Sequence, residues 1–220
     1  MIRLNDLRFA HPGGGFSLHI PELTVKRGAR AAVVGPSGTG KTTLLNLVSG
    51  ILPADGGQIA VDGRDLVGLS DAGRRAFRIQ RIGFVFQNFE LLDYLSARDN
   101  ILYPYRITNH LSLTDDVRAR ADALGTAVGL SDKLHRKPSA LSQGEQQRIA
   151  ICRALITQPP LLLADEPTGN LDPDNKTLIL DLLFAQAKAE DATLLVVTHD
   201  HELLPRFDQV IDFAKFREAT

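Results

Sequence analysis

Gly35-Pro36-Ser37-Gly38-Thr39-Gly40-Lys41-Thr42 fits the spacing G-x-x-x-x-G-K-[ST] at every fixed position. It stands between Ala31-Ala32-Val33-Val34, a short apolar run that reads as a buried strand, and Thr42-Thr43-Leu44-Leu45-Asn46-Leu47-Val48, whose apolar spacing suits a helix packed on a sheet. In that setting the glycines let backbone N–H groups turn inward around phosphate oxygens, and the helix N-terminus adds partial positive charge behind them. Lys41 is then placed to reach β- and γ-phosphates, the Thr42 hydroxyl to ligate Mg²⁺, and Thr43 to contact an α-phosphate. A glycine-rich turn with a chance lysine does not account for so long a match in this context. The implied ligand is a nucleoside triphosphate.

Upstream of this loop, Ile2-Arg3-Leu4 and Phe16-Ser17-Leu18-His19-Ile20 alternate like antiparallel strands on either side of Pro12-Gly13-Gly14-Gly15. Downstream, Gly56-Gly57-Gln58-Ile59-Ala60-Val61-Asp62-Gly63 alternates into an Asp-Gly turn, a hairpin signal. Ile82-Gly83-Phe84-Val85-Phe86 reads as a further strand ending at Gln87, and residues 88–137 turn mostly helical in pattern with Asp/Arg-rich faces. From Leu141 the order is helix, strand at Leu161-Leu162-Leu163-Ala164, helix around Lys176 to Ala189, and strand at Thr193-Leu194-Leu195-Val196-Val197. Strands too uniformly apolar to have a wet face, alternating with helices, predict an α/β fold with a parallel sheet covered on both sides.

At 220 residues the chain is long enough for one domain with a large core, and 44% hydrophobic with 23% charged residues is ordinary for a globular protein. No apolar run approaches the ~18 residues of a membrane span, and Met1-Ile2-Arg3-Leu4-Asn5-Asp6 lacks the apolar stretch of a signal peptide, so a cytosolic chain is expected. A net charge of −1 argues against nucleic acid as the main partner. The single cysteine, Cys152, permits no internal disulfide and falls in an apolar helical stripe, which suggests a buried structural thiol. With about twenty residues left after His199-Asp200, no C-terminal regulatory domain is expected.

Leu161-Leu162-Leu163-Ala164-Asp165-Glu166 delivers two carboxylates to the C-terminal end of a strand, where open α/β sheets bind ligands. Asp165 is placed to hold Mg²⁺, and Glu166 to orient and deprotonate an attacking water, a role whose loss costs roughly 10²- to 10⁴-fold in rate. Alone, such a run also suits a strand leading into a capped helix. Leu141-Ser142-Gln143-Gly144-Glu145 opens a helix with Ile149, Cys152 and Leu155 on one side. Ser142 and Glu145 form an S-x-x-E capping box, which many helices use simply to satisfy their first N–H groups. An exposed helix N-terminus with a serine and a glycine is equally a phosphate-binding surface.

Taken together, these stretches resemble the ATP-binding subunit of an ABC transporter, whose signature is LSGGQ or a near variant. The likeness runs over essentially the whole chain and includes six motifs in the family's order. It implies a P-loop NTPase core with a mainly parallel sheet, an antiparallel β subdomain and an inserted helical subdomain. Residues 1–87 and 138–220 would form the core and 88–137 the helical part of one domain, 1–220. It further implies that Lys41 and Thr42 belong to Walker A, and Asp165 and Glu166 to Walker B. Gln87 becomes the Q-loop glutamine near Mg²⁺ or the attacking water, and His199 the switch histidine at the γ-phosphate. Gly169-Asn170-Leu171-Asp172 becomes the D-loop, with Asp172 making contact across a dimer, although Asp172-Pro173 also reads as an ordinary N-cap with proline behind it.

The chain departs from the family pattern in two places, the signature and the adenine-stacking residue. Gln143 and Glu145 replace a glycine and the last residue of the signature, while Ser142 and Gly144 are kept. The aromatic residue expected to stack on adenine is His11 here, a smaller platform, with Phe9 or Phe16 as other aromatic candidates that also suit the core. The resemblance implies ATP and Mg²⁺ as cofactors. Two ATP-binding subunits, alike or different, would meet head to tail so that Ser142, Gln143, Gly144 and Glu145 of one face the Lys41 loop of the other. A separate transmembrane permease would hold the pair at the inner face of the cell membrane. Phe89-Glu90-Leu91-Leu92-Asp93-Tyr94-Leu95 is apolar enough to line a groove for a partner's helix, or to pack the helical subdomain itself. Several stretches look most like the lipoprotein-release and macrolide-export branch. The alternatives are a non-transport ABC-type ATPase regulating a membrane or cell-division complex, and a P-loop small-molecule kinase, which the signature and His199 disfavour.

Overall fold

The computed structural model describes residues 1–169 and 173–216. Its centre is a five-stranded parallel sheet of β3 (Arg30–Val34), β6 (Ile82–Val85), β7 (Leu161–Asp165), β8 (Thr193–Val197) and β9 (Gln209–Asp212), in the order β6-β7-β8-β3-β9. All five residues of β7 and of β8 are buried, as strands covered on both faces must be. Alternate side chains divide between two cores. Leu161, Leu163, Leu195 and Val197 pack on one face with α1 (Lys41–Val48) and the N-terminal strands. Leu162, Ala164, Leu194 and Val196 pack on the other with α3 (Ala97–Leu102), α4 (Asp115–Ala127), α5 (Gln143–Leu155) and α6 (Pro173–Ala189). The expected α/β class with a doubly covered parallel sheet is what the molecule has.

The N-terminal strands form a second, antiparallel sheet: β1 (Ile2–Ala10), β2 (Ser17–Val25), β4 (Gly56–Val61) and β5 (Arg64–Asp65), in the order β2-β1-β4-β5. Its inward phase changes partway along β1, from Ile2 and Leu4 to Leu7 and Phe9. A bulge absorbs the odd residue: Asp6 has φ 45° and the β1–β4 register shifts between Asn5 and Arg8. Without it Leu7 and Phe9 would face water. The Asp62-Gly63 turn has φ 49° and 78°, the doubly left-handed geometry of a tight two-residue hairpin.

Two elements were not anticipated. Helix α2 (Asp71–Arg81) is capped by Ser70, whose hydroxyl oxygen accepts the Gly73 N–H at 3.2 Å, and only Phe77 of it is buried. Edge strand β9 pairs with β3 alone. Its approach is fastened by Asp208, which accepts from Arg30 Nη2 at 2.6 Å, Arg30 Nε at 3.1 Å and the Arg30 backbone N–H at 2.9 Å. Cys152 is buried as expected; burial pushes its thiol up to about 12, so it stays protonated and inert.

The Arg30 guanidinium and backbone amide hold the Asp208 carboxyl at about 2, against an ordinary 3.8. A depressed carboxylate stabilises the fold above its unfolded value and loses that contribution as pH falls from 3.8 through about 2. Both side chains are more than a third exposed, which limits the pair to the surface scale. Asp208→Asn is expected to cost about 0.5–1 kcal/mol in urea unfolding at pH 7. The gap to the wild type should stay flat down to about pH 5 and shrink when unfolding is repeated near pH 3.

Candidate nucleotide site

Parallel pairing sets β3, β6, β7 and β8 pointing the same way, so the loops that leave their C-terminal ends meet on one edge of the sheet. They enclose a cleft of about 580 Å³ lined by Gly35, Ser37, Gly38, Gly40, Lys41, Thr42, Thr43, Gln87, Asp165, Glu166 and His199, with His11 and Phe16 at one side. Gly169 and Val197 complete the wall.

The floor is the glycine loop. Lys41 Nζ donates to the carbonyls of Gly35 at 2.7 Å and Pro36 at 2.9 Å, which holds the ammonium over the loop. Buried Thr39 braces the turn by donating its hydroxyl to the Pro36 carbonyl at 2.9 Å. Pro36 and Thr39 thus shape the loop, while the other residues of the motif face the cleft. Gly40 is the N-cap of α1 with φ 96°, and no side chain caps the helix there. The first N–H groups of α1 and its positive dipole end therefore face the cleft, the arrangement that favours a phosphate.

Asp165 is 4% exposed at the end of β7. Burial raises its carboxyl above the ordinary range, against the pull of a hydrogen bond from the Thr42 hydroxyl and the nearby Lys41 charge. Its Oδ1 is buried without a hydrogen-bond partner. A desolvated carboxylate oxygen beside a threonine hydroxyl is the donor chemistry a hard cation such as Mg²⁺ takes when phosphate oxygens complete its shell. Among the described residues no group of three or more His, Cys, Asp or Glu could hold a metal by itself.

Glu166 has φ 47°, a left-handed conformation that costs a non-glycine residue of order 1–3 kcal/mol. The turn is fastened on both sides: the Glu166 N–H donates to the Val197 carbonyl at 3.0 Å and its own carbonyl accepts from Gly169 at 3.1 Å. The side chain then meets His199. Glu166 Oε2 lies 2.8 Å from His199 Nδ1 and accepts the His199 backbone N–H at 3.3 Å. Asp200 anchors the following turn through a 2.9 Å pair with Lys176 of α6. Gln87 is exposed in the turn after β6 and faces the same cleft.

On the opposite side, His11 and Phe16 stand with ring centroids 5.4 Å apart, and Phe9 meets His11 edge-on at 4.9 Å. Phe9 is in the core, whereas Phe16 faces the cleft. The sequence pattern could not separate the two, because the turn from His11 to Phe16 decides it: the His11 N–H donates to the Phe16 carbonyl at 3.2 Å.

Ser142, Gln143, Gly144 and Glu145 are not brought to this cleft within the chain. They form the N-terminus of α5, where both halves of the capping box are made: the Glu145 N–H donates to Ser142 Oγ at 3.3 Å and the Ser142 N–H to Glu145 Oε2 at 2.8 Å. Glu145 also pairs with Lys133 at 2.6 Å, and the Lys133 ammonium with the Ser142 amide lowers its carboxyl below the ordinary range. Both carboxylate oxygens of Glu145 are thus engaged by its own chain. Asp172 lies outside the described residues.

A parallel sheet whose strand β3 runs through a glycine loop into a helix, with buried Asp165 beside that loop, defines a P-loop nucleotide-binding protein. Residues 18–169 match the ABC transporter family, and the chain belongs to it. It is 43% identical over 201 residues to the lipoprotein-releasing system ATP-binding protein LolD of Maricaulis maris, which covers 88% of this chain and 87% of that one. It is 41% identical over 203 residues to the macrolide export ATP-binding/permease protein MacB of Syntrophobacter fumaroxidans, covering 91% of this chain and 28% of that protein. Among solved structures, the dimeric post-hydrolysis state of the ATP-binding cassette MJ0796 bound to ADP and Pi superposes with a TM-score of 0.87 at 30% identity, covering 99% and 98% of the two chains. The protein is an ATP-binding cassette and an ATPase.

A Cβ at residue 40 would stand 2.4 Å from Phe16 Cζ and would have to adopt φ 96°. Gly40→Ala is therefore expected to weaken ATP binding by about tenfold or more, roughly 1.4 kcal/mol, in a direct binding titration. Unchanged affinity would show that the loop geometry does not serve the nucleotide.

Proposed function

We propose that this chain hydrolyses ATP in pockets shared between two ATP-binding subunits, alike or different, closed head to tail, and that closure and release drive a separate multi-span permease. The observation that carries this reading is the separation of two phosphate-binding surfaces. The cleft supplies Lys41, Thr42 and the α1 N-terminus, while Ser142 and Gly144 at the α5 N-terminus lie off it. A nucleotide held by both requires a second chain. The dimeric form of the MJ0796 cassette supports this.

In the closed pair, Lys41 and the α1 N–H groups neutralise the β- and γ-phosphates, and Ser142 and Gly144 of the partner close over the γ-phosphate. Asp165, Thr42 and Gln87 would hold Mg²⁺, which when bound supplies charge neutralisation on the phosphate oxygens. Glu166, held by His199, takes a proton from water as its oxygen bonds to the γ-phosphorus and the bond to the departing ADP breaks. His199, exposed apart from its bond to Glu166, is free to register the γ-phosphate. Loss of that group removes the ligand that bound both chains, so the dimer weakens. Asp172 is assigned to contact across the dimer.

The relatives' names, a lipoprotein-releasing system and an ATP-binding/permease exporter, support a membrane partner and the lipoprotein-release and macrolide-export branch. We assign the moving part to another subunit, on whose cytoplasmic side this chain sits; among the described residues no helix is long and apolar enough to cross a membrane. We read 1–220 as one domain, its core 1–87 and 138–220 and its helical part 88–137. Helix α5, in the core by these bounds, packs on α3 and α4 of the helical part as well as on β6 of the sheet, so Ser142 opens a helix that touches both parts. The stretch from Phe89 to Leu95 opens the helical part; Tyr94 is 71% exposed and suited to a partner's helix.

Glu166→Gln removes the base while keeping the hydrogen bond to His199. The variant is expected to form a dimer in ATP that persists for hours, read by light scattering. A variant that binds ATP yet stays monomeric at high concentration would contradict the shared pocket.

A further inference from the structure

Arg153, near the C-terminal end of α5, spends its guanidinium on two backbone carbonyls of a distant loop. Nη1 donates to Glu90 and Nη2 to Phe89. Those two residues have φ 50° and 62°, consecutive left-handed positions with no glycine. They follow Gln87 by two and three residues, in a turn where the Phe89 N–H reaches the Phe86 carbonyl at 3.0 Å and the Glu90 N–H the Asn88 carbonyl at 2.7 Å. Left-handed backbone at two successive side-chain-bearing residues persists only where the surroundings compensate it. Here the compensation is a planar fork that matches two carbonyls side by side, which the point charge of a lysine cannot reproduce. Burial lowers the guanidinium to about 10, a measure of how far it is drawn out of water to reach them.

We propose that Arg153 is a positioning residue that latches the turn after Gln87 onto α5, so that the helix carrying Ser142 and the loop carrying Gln87 move as one body. The two ends of α5 then serve the two surfaces of the pocket. Its N-terminus carries Ser142 toward the partner's nucleotide, and about 16 Å away along the axis its other end sets Gln87 in the cleft of its own chain. Arrival of the partner's nucleotide at Ser142 is thereby coupled to the placement of Gln87 in this chain. The inference rests on the reading that Gln87 acts in the cleft.

The test is a double-mutant cycle of Arg153→Met with Gln87→Ala, measuring kcat and ATP affinity separately. Arg153→Met is expected to lower kcat on the order of tenfold to a hundredfold with affinity within about twofold, and the double variant to be no slower than Gln87→Ala alone. Phe89→Gly/Glu90→Gly added to Arg153→Met should recover a large part of the lost kcat, because glycine holds left-handed φ without a compensating latch. A residue that only fills space would give no such recovery. Should Arg153→Met fail to fold, Arg153→Lys enters the same cycle with a smaller loss. Multiplicative losses, or no recovery with the glycines, would overturn the latch while leaving Gln87 in its role. An unaffected Gln87→Ala would instead remove the Gln87 reading and the latch with it.

Discussion

Parallel pairing of β3 with β8 and of β8 with β7 is the constraint on which the rest of the molecule depends. It aligns Val33 with Val197 and Asp165 with Val197, so the glycine loop, the Asp165-Glu166 step and the turn carrying His199 all leave the sheet at one level. No side chain in the cleft needs to reach far. The strands can be this uniformly apolar only because two different layers cover them, the antiparallel sheet with α1 on one face and α3 to α6 on the other. Those layers also divide the labour: one side carries the triphosphate loop, the other carries the α5 N-terminus.

The electrostatics follow from that geometry. At the bottom of the cleft a desolvated carboxylate, Asp165, stands beside Lys41 and Thr42, an arrangement that costs the free protein and that a bound cation and phosphate would offset. Nearer solvent, Glu166 and His199 hold each other in a turn that the backbone would not choose unaided. Glu145, one of the residues the resemblance would place against a partner's nucleotide, is bonded within its own chain to the Ser142 amide and to Lys133. Those bonds fix the N-terminal turn of α5, where Ser142 is the N-cap.

Much of this was legible in the sequence because its signals are local. The Gly35 to Thr42 loop, the apolar runs at 161–164 and 193–197 and the Asp-Gly hairpin each declare themselves within a few residues. What was missed depends on distant partners. Helix α2 has four arginines and one buried residue, so no apolar stripe marks it. Strand β9 is four residues long and becomes a strand by pairing with β3, fastened by Arg30 and Asp208. The Asp6 bulge that rephases β1, the turn that sends Phe16 rather than Phe9 into the cleft, and the grip of Arg153 on Phe89 and Glu90 all join residues through the fold, and single-sequence periodicity carries no trace of them.

The claim that every nucleotide is gripped by two chains is tested most directly by mixing two variants that are each inactive alone, Lys41→Ala and Ser142→Arg, and measuring ATP turnover. In a mixed pair one pocket carries both lesions and the other carries none. Shared pockets predict that turnover returns on mixing and rises with the fraction of mixed pairs. A mixture that stays as inactive as its separate components, under conditions where mixed pairs form, would contradict the account.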